Sequence, residues 1–135
     1  MSPLSRVIVM LLTLCALPAA GCARRDRVGD LPFFPGASYV GSTSTTGEQF
    51  GFPPASWQQV ELRTQAAFEA VRDFYAKTAI GGQTATFESE QPKSTGRVYN
   101  RFMADQSRRR FYAVTIEERT GLGHVSVLLR YGVAQ

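Results

Sequence analysis

The clearest pattern lies at the end of the chain. Residues 110–118 place Tyr112, Val114 and Ile116 on alternate positions, and residues 124–131 do the same with Val125, Val127, Leu129 and Tyr131. A period of two is the signature of a strand buried on one face. Thr120-Gly121-Leu122-Gly123 between them reads as a hairpin loop. Upstream, residues 97–103 alternate Val98, Asn100 and Phe102 against Tyr99, Arg101 and Met103, and residues 83–89 put Ala85 and Phe87 on one face. Pro92 and Gly96 mark residues 91–96 as a turn, and residues 104–109 are a polar connection.

The period changes once. Within TQAAFEAVRDFYAK, Ala67, Val71, Phe74 and Thr78 recur at helical spacing, widened by Phe68 and Tyr75. Thr64 is the expected N-cap, Asp73 and Lys77 form an i,i+4 pair, and Gly81-Gly82 is the expected stop. Before the helix, residues 57–63 (WQQVELR) alternate like a strand and residues 37–43 read as another. The Ser-, Thr- and Gly-rich residues 42–51 read as a loop, made sticky by Phe50, Phe52, Pro53 and Pro54. LPFFPGA at residues 31–37 denies a helix through its prolines, and Phe33 and Phe34 are expected to tuck under the sheet. Strands joined by short turns around one helix predict an α+β fold: an antiparallel sheet of five or six strands with one main helix packed on one face.

The first residues follow a different rule. Arg6 precedes a charge-free apolar run over residues 7–17, and small residues follow. Eleven residues of helix rise about 16 Å, half of a ~30 Å hydrocarbon core, so the layout is that of a secretory signal. The run ends in Ala19-Ala20-Gly21-Cys22, which resembles the lipobox of bacterial lipoproteins. That resemblance implies cleavage before Cys22 and acylation of its thiol, with Ala19 where leucine is usual. Cys15 fits less well, because Leu14 precedes it. The alternative is an ordinary signal that leaves Cys22 a free thiol. Removal of Cys15 would leave that thiol without a disulfide partner, a liability in an oxidising compartment that acylation removes. Residues 1–21 are thus read as a lipoprotein signal peptide, residues 22–30 as a basic tether and residues 31–135 as a single α+β domain. Ala23, where the lipoprotein family commonly uses Asp for inner-membrane retention, points to the outer membrane, facing the periplasm, in a cell with two membranes.

Composition narrows the rest. Fifteen basic against eleven acidic residues give +4, and 44% hydrophobic with 19% charged residues is a globular balance. An exported, mildly basic chain is a poor nucleic-acid binder. One histidine and two cysteines are too few for a structural zinc site, so neither a metal nor a cofactor is expected. His124 and Ser126 share a strand face about 7 Å apart, too far for a hydrogen bond without help, and no other residues suggest a catalytic centre. Glu88 and Glu90 share a face and read as a solvated edge.

Basic clusters are the remaining candidates. Arg24, Arg25 and Arg27 sit in the tether, and Arg108, Arg109 and Arg110 at a hairpin end. Each is either a contact to an anionic surface, such as lipid headgroups, or a solvated charge. The order LPFFPGA, strand, then a helix carrying Val71-Arg72-Asp73-Phe74-Tyr75 resembles small bacterial envelope lipoproteins with a Pro-Gly-Ala opening and a V-x-x-F-Y helix, with Phe34 in place of their tyrosine. The likeness covers residues 31–131, implies an envelope location and supplies no catalytic residues. The expectation is a membrane-anchored, non-catalytic accessory or adaptor with an envelope protein partner. The alternative is a lipoprotein binding a small apolar ligand between sheet and helix. A cell-wall hydrolase is the remote third.

Overall fold

The computed structural model describes residues 26–79 and 83–135, with the backbone alone over residues 83–86. Among the described residues, eight strands and one helix follow in the order β1 (Arg27–Val28), β2 (Leu31–Pro32), β3 (Ser38–Gly47), β4 (Ala55–Thr64), α1 (Phe68–Lys77), β5 (Gln83–Lys93), β6 (Gly96–Asp105), β7 (Arg110–Arg119) and β8 (Val125–Ala134). The last six strands form one antiparallel sheet in the order β3-β4-β8-β7-β6-β5, and β1 and β2 form a separate hairpin. The fold is α+β with one helix on one face of a six-stranded sheet, as the periodicities predict.

The main core lies between that sheet and the helix. Val60 and Leu62 of β4, Tyr112, Val114 and Ile116 of β7, and Val125, Val127 and Leu129 of β8 point at it. The helix contributes Phe68, Val71 and Tyr75, all at most 1% exposed. These three recur at i, i+3 and i+7, so they form the centre of the buried stripe, and Phe74 sits on its margin against Phe34. The hairpin adds Val28 and Leu31 to the same core.

Polar side chains lock the layers together. Tyr75 Oη donates to the Pro32 carbonyl at 3.0 Å, and Tyr112 Oη donates to Asp30 Oδ2 at 3.1 Å, so helix and sheet both grip the hairpin. The buried Arg101 donates to the carbonyls of Tyr75 (2.6 Å) and Thr78 (2.9 Å), which answers the unpaired acceptors at the helix C-terminus. At the other end Arg97 lies 4.4 Å over the Phe68 ring and pairs with Glu69 and Glu118. Among the described residues no buried side-chain nitrogen or oxygen lacks a partner.

Four boundaries differ from the sequence reading. The folded region begins before Leu31: Val28 is buried, and Gly29, at φ +55°, rests on the Tyr131 ring, so residues 27–30 belong to the fold rather than to a tether. Residues 42–47 are strand, because β4 supplies a continuous ladder to their backbone. Thr64 is the last residue of β4, and its Oγ1 accepts from the Ala66 amide; Ala67 holds the N-cap position without a side-chain bond. Residues 91–93 continue β5, which leaves Ser94-Thr95 as the turn. The Gly81-Gly82 stop lies outside the described residues.

Candidate functional site

The opposite face of the sheet carries no helix among the described residues, and its residues fall into two zones. The first is aromatic. The loop after β3 turns back through two consecutive left-handed residues, Phe50 (φ +54°) and Gly51 (φ +75°). A left-handed phenylalanine is strained, and here it is held by ring contacts. Phe50 stacks on Phe102 at 5.0 Å, Phe52 stacks on Phe111 at 4.8 Å, and Phe87 stacks on Phe102 at 5.6 Å. Trp57 lies flat on Gly132, where an added Cβ would stand 2.8 Å from the indole, and its Nε1 donates to the Gly47 carbonyl at 3.2 Å. Phe50 and Phe87 remain 43% and 52% exposed.

Beside the rings runs a polar row across four strands. Arg130 Nε donates to Gln59 Oε1 at 2.8 Å, its Nη1 donates to Thr115 Oγ1 at 3.3 Å, and Thr115 Oγ1 donates to Asn100 Oδ1 at 2.8 Å. The Arg130 guanidinium lies 4.9 Å over the Phe50 ring. Burial pushes its pKa below the ordinary value, yet a guanidinium keeps its charge near neutrality. Among the described residues no carboxylate pairs with it. A half-buried cation held by neutral acceptors favours any anion brought to it.

The polar row opens into a groove of about 450 Å³ that includes Glu61, Arg63, Glu117, Arg119, His124, Ser126 and Leu128. Arg119 Nε pairs with Glu117 Oε1 at 2.8 Å and holds that carboxylate below its usual range. His124 and Ser126 both line the groove, but no hydrogen bond joins them among the described residues. Nor do three or more His, Cys, Asp or Glu gather there to hold a metal ion, among the described residues.

The residues singled out from the sequence lie elsewhere. Cys22, Arg24 and Arg25 are outside the described residues. Arg27 is exposed on β1, 3.4 Å from Asp26. Arg108, Arg109 and Arg110 are exposed at the β6–β7 turn, as the hairpin reading places them. That turn is built by Asp105, whose Oδ1 accepts from the amides of Arg109 (3.0 Å) and Arg110 (3.2 Å) and from Ser107 Oγ. Against the upward push of burial, the bonds from Ser107, Arg110 and Arg109 hold its pKa below the usual value. Arg27 lies on the β1–β2 hairpin and the turn arginines on a turn of the large sheet. Glu90 pairs with Arg72 at 3.0 Å and Glu88 accepts from Tyr99 at 2.8 Å, so the edge glutamates are tied rather than merely solvated.

Arg130 was not among the sequence candidates. Its only signal was an arginine following Val125, Val127 and Leu129 on the polar side of the last strand. The loop aromatics lie on the face away from the helix, whereas the space between helix and sheet is filled by the core. The space expected to hold an apolar ligand, between sheet and helix, and the aromatic loop are therefore on opposite sides of the sheet. No helix among the described residues is long and apolar enough to cross a membrane. No family model, curated protein or solved structure matches the chain.

Proposed function

We propose that the chain is a lipid-anchored envelope protein, acylated at Cys22, whose domain is a non-catalytic accessory that binds another envelope component through the helix-free face. The supporting observation is that half-exposed Phe50 lies under Arg130, a cation with no carboxylate partner among the described residues, on the same face as the exposed Phe87. Aromatic and arginine side chains together are what protein interfaces use as anchors. The partner this face fits offers a carboxylate to Arg130 and an apolar surface to the two rings. The anchor rests on the Ala19-Ala20-Gly21-Cys22 pattern. Near an anionic surface each of Arg108, Arg109 and Arg110 would add about 1 kcal/mol of attraction.

The test is in-cell crosslinking of the full-length chain, followed by affinity capture and mass spectrometry. One dominant envelope partner is expected, lost in Arg130→Met and in Phe50→Ser. Equal capture by both variants overturns the assignment of the face. Fatty-acid labelling that persists in Cys22→Ala overturns the anchor.

A further inference from the structure

We propose that edge strand β3 pairs antiparallel with β3 of a second copy of this chain, across a two-fold axis at Ser44, so that two six-stranded sheets become one. The two edges of the sheet are built differently. On β5, Glu88, Glu90, Pro92 and Lys93 and a bulge between Ala85 and Phe87 obstruct another strand. These are the devices by which sheets refuse edge-to-edge contact. β3 has none of that protection along residues 41–47. It contains no charge and no proline, its side chains are largely exposed, and its pairing with β4 runs unbroken from Gly41↔Glu61 to Gly47↔Ala55. Its irregularity is confined to the Tyr39/Gly41 end. The loop that follows folds toward Phe102 and Phe111, away from this edge. One row of its backbone donors and acceptors is therefore left open among the described residues.

The order of residues on β3 identifies the occupant. Residues 41–47 read Gly-Ser-Thr-Ser-Thr-Thr-Gly, which is self-complementary by side-chain type about Ser44. Antiparallel pairing centred there sets Gly41 opposite Gly47, Ser42 opposite Thr46, Thr43 opposite Thr45, and Ser44 opposite itself. Hydroxyl-bearing pairs of this kind are favourable across strands. A two-fold axis also brings every charge near the strand centre close to its own copy, so an isologous edge has to be free of charge there. β3 meets that condition, and β5, with Glu88 and Glu90, does not. An axis perpendicular to the sheet keeps both helices on one face of the joined sheet. A strand from an unrelated protein would require none of this symmetry.

Sedimentation equilibrium of the full-length chain in density-matched detergent tests the pairing. The wild type is expected to dimerise. Ser44→Lys and Ser44→Glu each set like charges opposite one another on an exposed side chain, and each alone is expected to weaken the dimer about tenfold or more. Circular dichroism should show both variants folded. A mixture of the two restores a dimer, because lysine then faces glutamate. Three outcomes overturn the proposal: a monomeric wild type, a dimer that Ser44→Lys leaves intact, or a mixture that fails to re-form one.

Discussion

The sheet has two faces, and they are stabilised in different ways. Under the helix, aliphatic and aromatic residues from four strands meet Phe68, Val71 and Tyr75 in one continuous dry core. On the other side, the buried hydrophobic cluster is small, Ala55, Trp57, Ala104 and Phe111 beneath a loop, and a half-exposed polar row runs beside it. The first face sets stability through area removed from water. The second has spare capacity: its side chains can change without opening the main core. A binding surface that evolves on such a fold has room on the helix-free side.

The contrast can be broken most directly on the covered face. Tyr75→Ala removes a fully buried ring and its bond to Pro32, and is expected to cost about 3–5 kcal/mol in urea unfolding. Phe50→Ala on the open face should cost less, about 1 kcal/mol, since Phe50 remains 43% exposed. Equal losses would erase the distinction. Gly132→Ala comes next. Its Cβ would meet the Trp57 indole at 2.8 Å, and the expected cost is about 1–3 kcal/mol, with a change in tryptophan fluorescence as the ring is displaced. An unchanged spectrum and melting temperature would show that Trp57 is not seated there.

Smaller effects sharpen the picture. Arg130→Met keeps the stem and removes a desolvated charge that has no carboxylate partner, so stability should stay within about 1 kcal/mol of wild type. A large loss would make Arg130 a structural residue. The smallest effect is on pH. The folded-state pKa of Asp105 lies below its unfolded value, so the unfolded chain binds the proton more readily. Its contribution is fully present above the unfolded pKa, near 4, and is lost as pH falls through the folded value. Asp105→Asn should flatten the decline of stability below about pH 4, while costing under about 1 kcal/mol at pH 7, because the turn is exposed. A decline as steep as that of wild type would exclude Asp105 from the acid transition.

The parts legible in the sequence were those governed by local period. Tyr112, Val114 and Ile116, with Val125, Val127 and Leu129, announced two half-buried strands, and the aromatic stripe announced the helix. The first half of β3 was legible as a strand over residues 37–43, but its second half, residues 44–47, read as loop because both of its faces are exposed, and hydroxyl and glycine residues that suit turns also suit an edge held by β4. The helix start was misplaced because Thr64 is drawn into pairing with Val125, 61 residues away, which outweighs a cap worth about 1 kcal/mol. The Arg130 site joins residues 71 positions apart, and no window along the chain contains both. β1 and β2, two residues each, are too short to show any period.

The docked β1–β2 hairpin sets the reach of the domain. With an acylated Cys22, a fold starting at Leu31 would hang on a leash of about 30 Å. The hairpin takes in Arg27, and the Asp26 carbonyl already accepts from the Phe33 amide at 2.7 Å, so at most the span of residues 22–25, about 13 Å at full stretch, would separate an acylated Cys22 from the fold. On the proposed anchor, a domain tied that closely would work at the surface that holds it. It would engage neighbours within the same membrane and would not reach the space beyond.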